Sequence, residues 1–267
     1  MMKDLTKVRS MRRKIEQTLG RSRGQTLGQV RRTIEKLIED QGYHVLFPLN
    51  INPGKILAHS APGPEDERIL GAEDFTTIDY GYYDQSTMAD CAITMVREES
   101  QRVLDDYRDK LEKIKNAIEK EYVQTGKIAA SKVTRITQEC LQDYTIIEQC
   151  CSHGFKTSPT ELHTQLILMG HKKYPLRDDH EMTCGDSFTV EPHVTQSPRY
   201  RLIRTPWNIC KAPEGPAHIW CDESKSEYPE ISLRPEMGWY QEFNVYLDEE
   251  DGKRIVQVIG LGDRMVS

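Results

Sequence analysis

The chain has 267 residues and a mass of 30.8 kDa, a size that fits one large domain or two small ones. Hydrophobic residues make up 37% of it, which is enough to bury a sizeable core and excludes a disordered chain. The 36 basic and 42 acidic side chains leave a net charge of −6, which argues against DNA or RNA as the main ligand. No apolar stretch approaches the roughly 20 residues that a membrane span requires.

The cysteine content and the N-terminal residues predict the compartment. Seven cysteines are present without a Cys-x-x-Cys pair, so neither a disulfide framework nor a cysteine zinc site is expected. The first fourteen residues are charged and lack the apolar segment of a signal peptide. Together these features predict a soluble, reduced, cytoplasmic protein that does not bind membranes.

Positive charge is concentrated at the start of the chain. Residues 1–32 hold ten Lys and Arg against two acidic residues, a net of +8, so the remainder carries −14. Leu5, Val8, Ile15 and Leu19 recur at helical spacing, which predicts a basic N-terminal helix over residues 1–20 with its charges on the outer face. Such a face is typical of a solvated helix, and it would also suit weak contact with an anionic partner such as ribosomal RNA.

The first half of the chain predicts helices alternating with strands. A helix over about 3–19 is followed by one over about 26–41, which ends before Gly42. Residues 43–57 predict a strand, a turn at Pro53-Gly54 and a second strand. Two strands at about 75–83 and 88–96 then precede charged helices at about 99–123 and 131–143.

After residue 144 the pattern changes to short strands and loops, including segments 187–194 and 238–247. Asp251-Gly252 predicts a final hairpin. Residues 26–45 and 128–147 resemble each other as a helix followed by the start of a strand. A longer helix precedes each of these segments, so each half has the order helix, helix, strand. These duplicated halves predict one mixed helix-and-strand domain over residues 1–267, since no flexible linker divides them.

Two aspartates in the segment 75–94 carry the first chemical signal. This segment alternates and is rich in β-branched and aromatic residues, which predicts an antiparallel pair of strands. If the turn centres on Asp84-Gln85, Asp79 lies directly opposite Asp90 on one sheet face. Facing carboxylates need a shared proton or a cation, and a dinuclear metal centre would satisfy them. Two solvated aspartates near a turn are the alternative.

Four further candidates lie in apolar surroundings: Glu191, Glu242, His153 and His59. A buried unpaired glutamate is costly, although each residue alone is more often structural, as a hydrogen-bonded core histidine or a glutamate paired with arginine. Their joint occurrence with the two aspartates favours a common site.

These segments resemble the methionine aminopeptidases of the pita-bread metallopeptidase family over roughly residues 3–260. The resemblance rests on the following motifs: the Phe-Pro strand at 47–48, His-x-x-Pro at 59–62, Ile-Asp-x-Gly at 78–81, Asp-x-Ala-x-Thr at 90–94, the strand ending in Ser-His-Gly at 152–154, Phe-Thr-Val-Glu-Pro at 188–192 and Gln-Glu-Phe-Asn-Val at 241–245.

The resemblance implies an α+β pita-bread fold, in which duplicated halves surround a curved antiparallel sheet, and a centre for two divalent ions. The ligands it implies are Asp79, Asp90, His153, Glu191 and Glu242, with Asp90 and Glu242 bridging. Such a donor set suits Co, Mn, Fe or Zn. A water between the ions would attack the first peptide carbonyl. Glu191 would also move the proton, and His59 would stabilise the developing charge.

The chain departs from the family pattern at two places. Lys156 stands where the family has glycine in its His-Gly-x-Gly motif. The family's second substrate-contacting histidine would fall at 160 or 161, where this chain has Thr and Glu, so His163 is the nearest catalytic candidate. His171 is a competing alternative. Segment 195–237 resembles neither the short nor the long form of the family.

The resulting prediction is a dinuclear metallo-aminopeptidase that removes the N-terminal residue, methionine by expectation, from peptides or nascent proteins. One alternative is an enzyme of the same fold with another small substrate, such as an Xaa-Pro dipeptide or another amide. The other alternative is a non-catalytic binding protein of this fold, which would be expected to have lost ligands.

Overall fold

The computed structural model describes residues 5–84, 88–147, 152–154, 165–167, 179–197, 201–204, 231–234 and 238–261. His163, His171 and most of segment 195–237 lie outside the described residues. None of the described helices is both long enough and apolar enough to cross a membrane.

All four described α-helices end before residue 141, and short strands dominate the described chain after that point. The α-helices are α1 (Thr6–Arg21), α2 (Leu27–Asp40), α3 (Gln101–Thr125) and α4 (Ala130–Cys140). The strands are β1 (His44–Pro53), β2 (Ile56–Ala58), β3 (Phe75–Tyr83), β4 (Met88–Val96), β5 (Ile128–Ala129), β6 (Thr145–Ile146), β7 (Ser152–Gly154), β8 (Gln165–Ile167), β9 (Glu181–Met182), β10 (Ser187–Val190), β11 (Val194–Thr195), β12 (Arg201–Arg204), β13 (Ile231–Arg234), β14 (Gly238–Trp239), β15 (Phe243–Glu250) and β16 (Lys253–Ile259).

Local signals explain where the helices begin and end. Thr26 caps α2 by accepting a hydrogen bond from the backbone of Gln29, whose side chain bonds back to Thr26. Gly42 follows α2 with φ 80°, and Gly126 follows α3 with φ 78°. This left-handed conformation costs glycine little, so both positions end their helices cleanly.

Every described strand pairing is antiparallel. One three-stranded sheet has the order β1-β3-β4, and a five-stranded sheet has the order β16-β15-β10-β7-β8. The smaller sheets are β14-β11-β6, β12-β13-β2 and β5-β9. Helices together with antiparallel sheets confirm the predicted α+β class, and the final hairpin turns at Asp251-Gly252 as predicted.

The hydrophobic core has two parts, one for each half of the described chain. The first packs α1 and α2 against the β1-β3-β4 sheet and includes Ile15, Ile34 and Tyr80. The second packs α3 and α4 against the five-stranded sheet and includes Ile114 and Phe243. The predicted order of helix, helix and strand occurs twice, as α1-α2-β1 and, with the short strand β5 between its helices, as α3-α4-β6. Polar residues of β3, β4 and β15 lie where the two halves meet.

The predicted direct pairing of the two aspartates is wrong by two residues. Strands β3 and β4 occupy their predicted ranges, but Asp79 pairs with Ala92 and Asp90 pairs with Gly81. The last pair, Tyr83 with Met88, leaves a four-residue connection instead of a two-residue turn. Asp84-Gln85 contains no glycine and is a poor two-residue hairpin turn, which favours the longer connection. The aspartates still share one sheet face as diagonal neighbours.

The prediction that the basic residues of α1 lie on its outer face is wrong for Arg12. Leu5, Val8, Ile15 and Leu19 are buried as expected. Arg12 is only 3% exposed and Glu16 only 4%, and the guanidinium Nη2 of Arg12 lies 2.5 Å from the carboxylate Oε1 of Glu16. A buried charge of this kind is tolerated because its partner lies one helical turn away.

We predict that Arg12→Met destabilises the fold by about 3–5 kcal/mol, since it leaves the Glu16 charge buried without its cation. The double variant Arg12→Met/Glu16→Met should recover most of that loss. Urea unfolding midpoints measure both effects, with the exposed neighbour Arg13→Met as the matched control. Equal loss in the single and double variants would contradict this account.

Candidate metal centre

Three carboxylates converge where the two halves meet. Asp79 lies on β3, Asp90 on β4, and Glu242 immediately before β15. One carboxylate oxygen from each lies within 4.8 Å of the others. Asp90 and Glu242 are 6% and 1% exposed. Glu242 lies between β14 and β15, within the segment 238–247 that the sequence predicted to contain strand.

Backbone hydrogen bonds hold Glu242 and Asp90 in register. The Glu242 N–H donates to the Ala92 carbonyl oxygen over 3.1 Å. Asn244, fully buried on β15, accepts from the Asp90 N–H over 3.1 Å and donates its amide to the Asp90 carbonyl oxygen. The Asn244 side chain thus bonds both polar groups of one residue on β4. This contact joins the two larger sheets at the point where the carboxylates meet.

His153 and Glu191 complete the cluster from the five-stranded side. His153 lies on β7, with its Nε2 3.4 Å from Asp90 Oδ2 and 3.5 Å from Glu191 Oε1. Its Nδ1 lies 3.3 Å from the Gly154 carbonyl oxygen. A carbonyl can only accept, so Nδ1 is the donor in this contact, and Nε2 is the ring nitrogen that faces the two carboxylates.

Glu191 directly follows β10 instead of lying within a strand as predicted. Its backbone N–H donates to Ser152 Oγ over 3.1 Å, and the Thr189 hydroxyl lies 3.4 Å from its carboxylate. The structure therefore brings together all five residues predicted as metal ligands.

The electrostatics of the cluster are unfavourable for bare carboxylates. Burial raises the pKa of Asp79 well above its usual value, and the charge of Asp90 raises it further. Burial likewise raises the pKa of Glu191 and of Glu242, and Asp90 again adds to both shifts. Each shift has the same physical origin, since desolvation and like charges both disfavour ionisation. A bound cation would remove most of this cost.

The donor atoms fit divalent metal ions. Asp79 Oδ1 and Glu242 Oε1 are buried and have no hydrogen-bond partner among the described residues. Buried polar atoms are rarely left in this state unless a ligand satisfies them. Carboxylate oxygens with one imidazole nitrogen form a set that suits Mn, Fe, Co or Zn.

His59 lies directly after β2. Its φ of 64° is unusual for a residue other than glycine. Backbone strain of this kind concentrates at functional sites. The His59 charge is one of the influences that lower the pKa of His193, so the two imidazoles lie near each other.

Two residues of the site were not predicted from the sequence: His193 and Tyr240. The Tyr240 hydroxyl donates to Asp79 Oδ2 over 2.8 Å, and its ring stacks on His193 with centroids 3.6 Å apart. Burial lowers the pKa of His193 to about 3, so its imidazole is neutral. His193 follows Glu191-Pro192 directly, and Tyr240 precedes Glu242 by two residues. This closeness in sequence to the two glutamates is the signal that could have identified both residues.

An α+β fold with a buried, oxygen-rich cluster and one imidazole defines the class as a candidate metal-dependent enzyme. Comparison with protein families agrees, because residues 7–209 match the model of metallopeptidase family M24. This match covers well over half of the chain. The chain therefore belongs to metallopeptidase family M24.

Curated relatives with the name methionine aminopeptidase match part of the chain. The protein of Methanothermobacter thermautotrophicus is 25% identical over 166 residues, which cover 61% of this chain and 52% of the relative. That of Pyrococcus abyssi is 27% identical over 177 residues, which cover 64% of this chain and 56% of the relative. The chain spans about half the length of these relatives.

Solved structures support the fold over nearly the whole chain. The methionine aminopeptidase of Rickettsia prowazekii aligns with a TM-score of 0.65 and 14% identity, covering 97% of this chain and 99% of that one. The prolidase of Pyrococcus furiosus aligns with a TM-score of 0.57 and 20% identity, covering 92% of this chain and 60% of that one. The predicted pita-bread fold is confirmed.

The raised carboxyl pKa values predict how stability depends on pH in metal-free protein. The folded chain holds protons that the unfolded chain releases above the ordinary glutamate pKa of 4.5, so stability should fall as pH rises from there through the raised values. Glu242→Gln removes one repelling charge. It should raise the unfolding temperature of metal-free protein at pH 8 by several degrees, at about 2–4 °C per kcal/mol.

Thermal unfolding after dialysis against EDTA, at pH 5 and pH 8, measures this effect. Glu250→Gln, an exposed carboxylate at the end of β15, is the matched control and should leave the pH dependence unchanged. A metal-free wild type that is more stable at pH 8 than at pH 5, or a destabilised Glu242→Gln, would refute the electrostatic account.

Proposed function

We propose that the protein is a dinuclear metal-dependent aminopeptidase that hydrolyses the N-terminal residue, methionine in the first instance, of peptides or nascent chains. The observation that carries the proposal is the convergence of Asp79, Asp90, His153, Glu191 and Glu242 in a member of family M24. The relatives named methionine aminopeptidase support the choice of substrate.

The five residues would hold two divalent ions, drawn from Co, Mn, Fe and Zn. Asp90 would be shared between the two ions, since its carboxylate lies near those of Asp79 and Glu242 and 3.4 Å from the His153 Nε2. Glu242 is proposed as the second bridge. When bound, such ions polarise a carbonyl and lower the pKa of a coordinated water.

Glu191 is proposed to move the proton. Its carboxylate lies 3.5 Å from His153 Nε2, and burial raises its pKa, which makes the ionised carboxylate a stronger proton acceptor. It would accept a proton from the attacking water at a carboxylate oxygen and return it to the leaving amine nitrogen. Thr189 and Ser152 hold the residue in place through the hydrogen bonds described above.

His59 is proposed to stabilise the negative charge that develops on the peptide carbonyl oxygen. Its left-handed backbone (φ 64°) and its influence on the pKa of His193, which follows Glu191 by two residues, support a role near the site. A peptide N-terminus supplies the amine that an acidic centre recognises, which explains removal of a single terminal residue. His163 stays a predicted substrate contact, and a cytoplasmic location and ribosome contact through α1 also stay predictions.

Metal content and turnover of Met-Ala-Ser, measured with added Mn or Co, test this function. We expect bound metal, methionine release, and loss of activity after dialysis against EDTA that either ion restores. Bound metal with release from an Xaa-Pro dipeptide and none from Met-Ala-Ser would favour the alternative substrate class. Bound metal without turnover of either substrate, or no bound metal, would contradict an aminopeptidase.

Asp90→Asn is expected to abolish both metal binding and turnover, because the central ligand loses its charge. Asp105→Asn, an exposed change on α3, is the matched control. Metal analysis of the purified proteins and the peptide assay measure both properties. Full activity in Asp90→Asn would remove the basis of the site assignment.

His59→Ala is expected to lower turnover by about 10²–10⁴-fold while metal content stays at the wild-type level. The exposed His180→Ala serves as the control, and both variants are measured for kcat and bound metal. Loss of metal from His59→Ala would show that His59 is a ligand instead.

A further inference from the structure

We propose that Tyr240 is a positioning residue that fixes Asp79 for metal binding, and that His193 holds Tyr240 in place. This inference rests on the proposed metal centre and extends it to two residues that the five-ligand pattern does not include. Neither residue would touch the ions themselves.

Tyr240 is held on three sides. Its side chain is buried, with 1% of the residue exposed. The hydroxyl donates to Asp79 Oδ2 over 2.8 Å. The Thr94 hydroxyl, on the same strand as Asp90, donates to the Tyr240 carbonyl oxygen over 2.5 Å. The ring lies against the His193 imidazole, with an interplanar angle of 24°. These contacts hold the phenol hydroxyl against Asp79.

This hydrogen bond makes the two carboxylate oxygens of Asp79 different from each other. Oδ2 is occupied by the phenol, whereas Oδ1 has no hydrogen-bond partner among the described residues. The bond limits rotation of the carboxylate, so Oδ1 is presented in a fixed direction. Partners of this kind orient metal ligands, and their loss typically weakens metal binding.

His193 connects Tyr240 to a second proposed ligand. Its Nδ1 lies 2.9 Å from the Glu191 carbonyl oxygen, and because that oxygen can only accept, Nδ1 donates. The face of the same imidazole ring stacks on the ring of Tyr240. One aromatic pair thus links the backbone of Glu191, beside β10, to the carboxylate of Asp79 on β3. It holds ligands from the two halves of the fold in a fixed relation.

Tyr82, which lies on β3 like Asp79, provides a matched control. It is also 1% exposed, and its hydroxyl donates to the Val8 carbonyl oxygen over 2.8 Å. Tyr82 lies on the opposite face of β3, in the first part of the core. Tyr240→Phe and Tyr82→Phe each delete one buried hydroxyl that donates one hydrogen bond of equal length. Only the first deletion should reach the metal centre.

Calorimetric titration of metal-free protein with Mn²⁺ tests the inference, together with the visible absorption spectrum of protein loaded with Co²⁺, which reports coordination geometry. We expect Tyr240→Phe to bind Mn²⁺ about 10–100-fold more weakly than wild type and to alter the Co²⁺ spectrum. His193→Ala should change both in the same direction. Tyr82→Phe should match wild type in both, although its unfolding temperature falls.

Three outcomes would count against the inference, and they are separable. Wild-type Mn²⁺ affinity in both Tyr240→Phe and His193→Ala would overturn the positioning role while leaving the proposed function standing. Equal weakening in Tyr240→Phe and Tyr82→Phe would reduce the effect to general stability and also overturn it. A wild-type protein that binds no Mn²⁺ would overturn the proposed function, and the inference with it.

Discussion

Repulsion among buried carboxylates is the constraint on which the rest of the site depends. Asp79, Asp90, Glu191 and Glu242 lie close together in a region shielded from water, where each negative charge disfavours the others. The raised pKa values of Asp79, Glu191 and Glu242 reflect this unfavourable environment. So do the buried oxygens of Asp79 and Glu242 that have no hydrogen-bond partner among the described residues. A fold does not gain stability from such a cluster, so its presence indicates a function that supplies positive charge.

The architecture delivers these groups from rigid elements that belong to different halves. Asp79 and Asp90 come from a hairpin supported by α1 and α2, whereas Glu191 and Glu242 border strands supported by α3 and α4. The Asn244 amide joins the two sheets by bonding the backbone of Asp90. Ligands at strand positions and strand ends are held more firmly than ligands on loops, which suits a centre that must bind cations in a defined geometry.

Strand and helix positions were predictable wherever periodicity was strong. Strands β3 and β4 matched their predicted limits because alternation and β-branched residues marked them. Their register was not predictable, since it depended on the length of a connection without a glycine turn signal. The burial of Arg12 also escaped prediction, because a helical pattern of apolar residues does not show whether an ion pair is enclosed.

The candidate site was only partly accessible from sequence. The five residues proposed as metal ligands were predicted because they lie in motifs that resemble those of the family. Tyr240 and His193 were missed because their roles come from contacts between distant parts of the chain. Tyr240, for example, bonds to Asp79 across a separation of 161 residues. Segment 195–237 resembled neither the short nor the long form of the family, and most of it lies outside the described residues.

Anomalous X-ray diffraction from crystals soaked in Mn²⁺ tests the central claim most directly. The account predicts two anomalous peaks about 3.5–4 Å apart, both within coordinating distance of the cluster formed by Asp79, Asp90, His153, Glu191 and Glu242. A single peak would contradict a dinuclear centre. Strong peaks elsewhere, with none at these carboxylates, would contradict the assignment of the site itself.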